Sequence, residues 1–221
     1  MTEVGPGRFA HASGALWLDK PKALLIADPH LGYGWAQRRR GELGPLQDAA
    51  AQEKLLRVVD ELNPAEVVLL GDTVHAPKPC EPERLLIEQT LDALRQRARL
   101  TVVMGNHDRA LCRDFGVAAV DAWHTEGLGA VHGHQSLSHD NNHVVMGHFH
   151  PAWSIVDNAG VRRRWPVFVV TEPVTILPAF SPYAAGFDLR RRWPAELRAL
   201  LGESKPRLFA ATGSRVVEVR R

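Results

Sequence analysis

Residues 100–108 read LTVVMGNHD, an apolar, β-branched run that ends in glycine, asparagine, histidine and aspartate. A run this short, with turn-forming residues after it, predicts a buried strand over 100–104. Four such residues in a row at its end predict more than a polar turn. Working outward, other apolar runs close in the same way. ALLIA at Ala23–Ala27 leads into Asp28-Pro29-His30, and VVLL at 67–70 leads into Gly71-Asp72. VVM at 144–146 leads into Gly147-His148-Phe149-His150, and His132-Gly133-His134 is a further signature.

Between these strands, residues 45–62 carry apolar side chains at helical spacing and stop at Asn63-Pro64. Residues 82–98 open on a proline suited to a first helical position. Strand, helix, strand, helix, strand predicts an α/β chain with a largely parallel core. Beyond residue 160 the pattern turns to strands, at 165–170, 174–177, 207–211 and 215–219. One short helix is predicted near 194–201, and Thr212-Gly213-Ser214 reads as a hairpin turn. The predicted architecture is two sheets packed face to face with helices outside, as a single domain over residues 1–221.

With 45% hydrophobic and 24% charged residues, the chain has the composition of an ordinary globular protein. Its net charge of +2 is too small by itself to argue for nucleic acid. The arginines are clumped, however, at 38–40, 162–164 and 190–192. Each triplet reads as solvated surface or as a phosphate-attracting rim, and 38–40 is the best candidate for a rim because it follows a polar signature. Cys80 and Cys112 have no CxxC spacing, which argues against a zinc ribbon or redox pair. No apolar stretch approaches the ~20 residues of a membrane span. The first residues lack a signal-peptide pattern. The expectation is a cytoplasmic protein without a membrane partner.

Ligands of open α/β sheets bind outside the carboxyl ends of the strands. Asp28, Asp72, Asn106 and His148 each follow a predicted strand, so they should share one edge. Asp28 and His30 are two apart, like His148 and His150, and residues two apart share a side. A carboxylate such as Asp72 can bridge two cations. Asn106 offers a neutral oxygen ligand, which leaves His107 free as an acid, with Asp108 expected to orient it. Either His132 or His134 could be a ligand. His11 and His124 read as non-functional, and His139 and His143 as loop surface. Such a set fits two adjacent divalent metals, the centre that clamps both oxygens of a phosphoryl displacement. The absence of cysteine ligands disfavours a structural zinc site. The nitrogen-rich set disfavours magnesium and calcium and leaves manganese, iron, zinc or cobalt.

In the order DxH, GD, GNHD, H, GHxH, the signatures resemble the calcineurin-like metallophosphoesterase superfamily over residues 23–151. The resemblance implies a four-layer αββα sandwich of two mixed sheets flanked by helices. It implies one ion on Asp28, His30, Asp72 and His150, and another on Asp72, Asn106, His132 and His148, with His132 preferred over His134. His107 would protonate the leaving group. The second motif departs from the broad family's GDxxD, reading Gly71-Asp72-Thr73-Val74-His75. A histidine there is similar to SbcD-type DNA-repair nucleases and their small stand-alone relatives. So are ADPHLGYGWAQRRRG at 27–41 and ILPAFSPYAAG at 176–186. That likeness implies a catalytic role for His75. The chain is too short for the DNA-capping domain of SbcD.

The expected activity is phosphodiester hydrolysis by a hydroxide bridging two divalent ions, manganese first, with nucleic acid as a candidate substrate. A small nucleotide or phosphomonoester substrate is the alternative, and a non-catalytic scaffold is a third reading. Arg38, Arg39 and Arg109 are expected to bind substrate phosphate. Trp153, Trp165 and Tyr183 read as core, or else as the face of a homodimer.

Overall fold

A computed structural model of the chain describes residues 1–42, 44–134, 142–156 and 159–219. Among these residues, seven strands form a first sheet in chain order. An antiparallel meander comes first: β1 (Thr2–Gly5), β2 (Arg8–Ala10), β3 (Leu16–Leu18) and β4 (Ala23–Ala27). Three parallel steps follow, to β5 (Glu66–Leu70), β6 (Arg99–Val103) and β7 (Ala119–Val120). The crossovers carry α1 (Tyr33–Arg39) and α2 (Asp48–Leu62), then α3 (Glu81–Arg95), then α4 (Arg109–Phe115).

The second sheet holds β8 (Trp123–Thr125), β9 (Leu128–Val131), β10 (His143–Met146), β11 (Pro151–Val156), β12 (Arg162–Val170), β13 (Val174–Ile176) and β14 (Phe187–Asp188). After α5 (Ala195–Leu201), the hairpin β15 (Arg207–Ala211) and β16 (Val216–Val219) joins it through β12. Within it, β9, β10 and β13 run parallel.

Alternation along the strands builds the layers. In β4, Leu25 and Ala27 face the second sheet and pack with Val145, Phe168 and Phe209. Leu24 and Ile26 face the other way, against Leu55 and Val59 of α2 and Ile87 and Leu91 of α3. Beyond the second sheet, Val167, Val169 and Leu208 meet Leu197 and Leu201 of α5. The result is the four-layer αββα sandwich. β4 and β5 are buried at every position because apolar layers cover both faces.

Most predicted elements form. The helix expected over 45–62 begins at Asp48, and that expected over 82–98 spans Glu81–Arg95. In the latter, the Glu83 side chain accepts from the Cys80 backbone N–H in a capping box. Two seven-residue helices, α1 and α4, and the meander β1–β3 form where no periodicity predicted them. His143, expected on a loop surface, is buried in β10 instead. Its Nδ1–H donates to Glu172 O at 2.6 Å and its Nε2 lies 2.9 Å from Thr175 Oγ1. His139 lies outside the described residues. Trp153 and Trp165 face each other across β11 and β12 and pack half-buried on the third core cluster. Cys80 and Cys112 are free thiols. No helix is long and apolar enough to cross a membrane among the described residues.

Candidate metal centre

Register brings the polar signatures together. Ala27 pairs with Leu70, and Leu70 with Val103, so three strands of the first sheet end level. In the second sheet, Val131 pairs with Met146. Asp28, Asp72, Asn106, His132 and His148 therefore leave adjacent strand ends at one edge of the sandwich.

The backbone there is unusual. Non-glycine residues seldom adopt positive φ, and each instance costs about 1–3 kcal/mol. Among the described residues seven do so, and five of these are Asp28, His30, Asp72, His148 and His150. The shared side of Asp28 and His30, and of His148 and His150, thus arises from left-handed turns rather than from a strand pleat. Bonds between loops hold the turns. His30 N–H donates to Asp72 O, Leu31 N–H to Thr73 O and Ser181 N–H to Asp28 O.

Two glycines are required by close approach. A Cβ on Gly105 would fall 2.1 Å from Asp72 N, and one on Gly147 would fall 2.6 Å from Asp28 Oδ2. These positions explain why both signatures begin with glycine: the loops carrying the candidate ligands leave no room for a side chain between them.

Two tight groups of side chains result. Asp28, His30 and His150 form one, and Asp28, Asp72 and His132 the other. Asp28, with no exposure, is common to both, whereas Asp72 is the bridge expected by resemblance. Asp28 Oδ2 accepts from His148 N–H at 2.9 Å, and Oδ1 lies 3.3 Å from His150 Nε2. His132 Nδ1–H donates to Leu70 O at 3.0 Å, so in the neutral ring Nε2 is left with its lone pair. That atom faces Asn106 Oδ1 at 3.1 Å, His148 Nδ1 at 3.2 Å and Asp72 Oδ1 at 3.6 Å. Electron-rich atoms gathered this closely fit a shared cation. His30 Nδ1 is buried without a hydrogen-bond partner among the described residues, which a metal would also satisfy. His134 lies apart, exposed, with its ring 5.2 Å from that of His132.

Burial lowers His30 to about 4, against the charge of Asp28, and lowers His148 too. Neutral imidazoles are the form that binds metal. His150 is raised: burial would lower it, but the hydrogen bond and charge of Asp28 and the charge of Asp72 outweigh this.

His107 sits at the rim. Its backbone N–H donates to Asp72 Oδ1 at 2.9 Å, and its ring Nδ1–H donates to His75 O at 3.2 Å. Nε2 then lies 4.0 Å from Asp72 Oδ2. His75 stacks on His107, centroids 5.6 Å apart, and lies 4.1 Å from the Tyr33 ring. Burial, with the charges of His30 and His107, lowers His75 to about 4.

Asp108 does not orient the His107 ring as expected. Its Oδ1 accepts from Thr73 N–H at 2.7 Å and Val74 N–H at 3.2 Å, and its Oδ2 from Gly105 N–H at 2.9 Å. It clasps the loop after β5 to the loop after β6. Burial pushes its carboxyl up to about 6, opposed by those N–H donors.

Of the arginines expected to bind phosphate, one is engaged elsewhere. Arg39 pairs with buried Glu83 at 3.1 Å and donates to Lys78 O, so its charge is already committed. Arg38 is exposed at the end of α1, and Arg109 is exposed at the start of α4. Tyr183 stacks on Tyr33 at 4.9 Å and donates to Asp48 Oδ2, placing it beside the site rather than on a separate face. Tyr33 and Tyr183 lie within the stretches that carried the resemblance to SbcD-like proteins, the only signal in the sequence that pointed to them.

The family model described as calcineurin-like phosphoesterase matches residues 21–176 of the chain. Among solved structures, the chain is similar to the nuclease MPE of Pseudomonas putida, with a TM-score of 0.71 and 25% identity, covering 96% of this chain and 94% of that one. A comparison with curated proteins found no match.

Proposed function

This chain belongs to the calcineurin-like phosphoesterase family, and from that membership we propose that it is a two-metal phosphodiesterase that cleaves nucleic acid. The observation that carries the reading is the convergence on His132 Nε2 of Asn106, His148 and Asp72, next to the Asp28–His30–His150 group. One ion would be held by Asp28, His30, Asp72 and His150, and the other by Asp72, Asn106, His132 and His148. When bound, divalent ions supply Lewis-acid charge to the phosphate oxygens and make water nucleophilic at neutral pH. Manganese suits the nitrogen–oxygen ligand set, with iron, zinc and cobalt as alternatives.

The protein residues have separate tasks. His107, fixed through Nδ1–H on His75 O, presents Nε2 to the leaving oxygen and can hold its proton there. His75, packed between Tyr33 and His107, sets the angle of that ring. Asp108 positions the Asp72 and Asn106 loops and touches no reacting atom. The nuclease named among the similar structures supports a nucleic-acid substrate, and the family supports cleavage of a phosphoester.

The test is hydrolysis of bis-p-nitrophenyl phosphate and p-nitrophenyl phosphate by metal-stripped protein with Mn²⁺ restored, beside His107→Ala. Diester cleavage that needs Mn²⁺ and drops about 10²-fold or more in the variant is expected. No cleavage of either ester with Mn²⁺, Fe²⁺, Co²⁺ or Zn²⁺ would overturn the proposal.

A further inference from the structure

A cavity of 420 Å³ opens beside the candidate metal centre, with His150 in its wall. Three cations line it: Lys54 of α2 and Arg162 and Arg164 of β12. No aspartate or glutamate does, among the described residues. Arg162 and Arg164 are two apart on one strand, so the pleat sends both to the same face, and Arg163 to the other. Two members of the second arginine triplet thus line the cavity, the phosphate-facing alternative of its two sequence readings.

Lys54 and Arg164 are held in place without being neutralised in the cavity, among the described residues. Arg164 donates to the backbone oxygens of Ala185 and Gly186, both at 3.2 Å. Its charge also helps hold Asp188 low, but Asp188 is committed to Ser154 N–H and Oγ–H and does not line the cavity. Lys54 donates to Phe180 O at 3.1 Å, and its ammonium lies 3.9 Å above the Phe180 ring. Burial lowers Lys54 to about 8, so it is still charged at neutral pH. A lysine stripped of much of its water and given, among the described residues, a carbonyl and a ring face but no carboxylate has unmet demand for an anion.

The same segment that anchors Lys54 also reaches the metal ligands. Phe180 N–H donates to Ala27 O and Ser181 N–H to Asp28 O, so the cavity wall and the Asp28 loop are one hydrogen-bonded unit. An anion in the cavity is therefore held at a fixed offset from whatever occupies the metal centre.

The geometry points to a second phosphate subsite: Lys54, Arg162 and Arg164 bind a phosphate of the substrate chain adjacent to the one being cleaved. This rests on the nucleic-acid diesterase reading and deepens it, because an ester with a single phosphate cannot fill both places. The arrangement makes a polynucleotide, rather than a simple diester, the complete ligand.

The experiment compares KM for a short single-stranded oligodeoxynucleotide and for bis-p-nitrophenyl phosphate, using the full chain with Mn²⁺. The variants are Lys54→Gln and the double variant Arg162→Gln/Arg164→Gln. In each, the ratio of oligonucleotide KM to small-diester KM is expected to rise about tenfold, the worth of one charge-assisted hydrogen bond. The salt dependence of oligonucleotide binding should also become shallower, by about 0.7 in log–log slope for each phosphate that the variant no longer neutralises. The arginine pair decides the matter if Lys54→Gln fails to fold, since both arginines are exposed. An unchanged KM ratio and salt slope in the arginine variant would overturn the subsite while leaving the diesterase reading intact. Absence of any diester cleavage by the wild-type protein would overturn both.

Discussion

Gly105→Ala tests how closely the loops of the site must pack. A Cβ at this position would lie 2.1 Å from the backbone nitrogen of Asp72 and 2.4 Å from its Oδ1. Ordinary contact begins near 3.4 Å. The obstacle is backbone, so no rotamer change relieves it, and the loops after β5 and β6 must part by roughly 1 Å. Overpacking of this kind costs about 1–3 kcal/mol. For a chain of this size that lowers Tm by about 3–10 °C. The same displacement separates Asp72 from Asn106 and His107, and misplacement by roughly 1 Å costs about 10²-fold in rate. Gly44→Ala is the control, because its added Cβ would meet only Gln37 Oε1, at 3.5 Å. Thermal unfolding of metal-stripped protein and Mn²⁺-supported diester hydrolysis read the two effects. A Gly105→Ala protein within about 1 °C and twofold of wild type would contradict this account, because the loops would then have slack that the geometry denies.

Other perturbations separate structural from chemical roles. Arg39→Gln strands the buried Glu83 carboxylate and should lower the urea unfolding free energy by roughly 1–3 kcal/mol, discounted because Arg39 is half exposed; unchanged stability with a raised substrate KM would return Arg39 to the rim. Phe209 faces Phe168 across β15 and β12 in the core between the sheets, so Phe209→Ala should cost about 3–5 kcal/mol in the same assay, and a loss below about 1 kcal/mol would argue against that packing. Burial depresses His143 to about 4, so its neutral form is favoured in the fold, and its contribution is full above the unfolded value of 6.5 and is lost as pH falls through 4. His143→Gln should therefore flatten the fall of Tm between those pH values, and equal slopes in the two proteins would exclude His143 as a source of it.

Much of the site was legible because parallel strands in register convert a one-dimensional pattern into an edge. ALLIA, VVLL and LTVVM are long enough and apolar enough to predict buried strands, and the residues after them had to emerge together. Helices α1 and α4 were not legible, since seven residues are too few for helical periodicity to register and their stability comes from packing. The meander β1–β3 was hidden for a related reason: strands of three or four residues carry almost no alternation.

Strand runs, the polar signatures after them and thus the inventory of candidate metal ligands can be read along the chain, because local apolar pattern and residue chemistry do not depend on distant partners. Which polar groups remain available is a property of the packed molecule. Asp108 and Arg39 look reactive in the sequence, yet backbone N–H groups and Glu83 engage them. His143 looks like loop surface, yet β9 and β13 enclose it. Lys54 and Arg164 lie 110 residues apart in the chain, where Lys54 attracts no notice and Arg164 only as one of a clump, yet they share one cavity wall with His150. Hydrogen-bond satisfaction and charge pairing are set by neighbours in space, and the sheet packing that supplies those neighbours is not written at any one position.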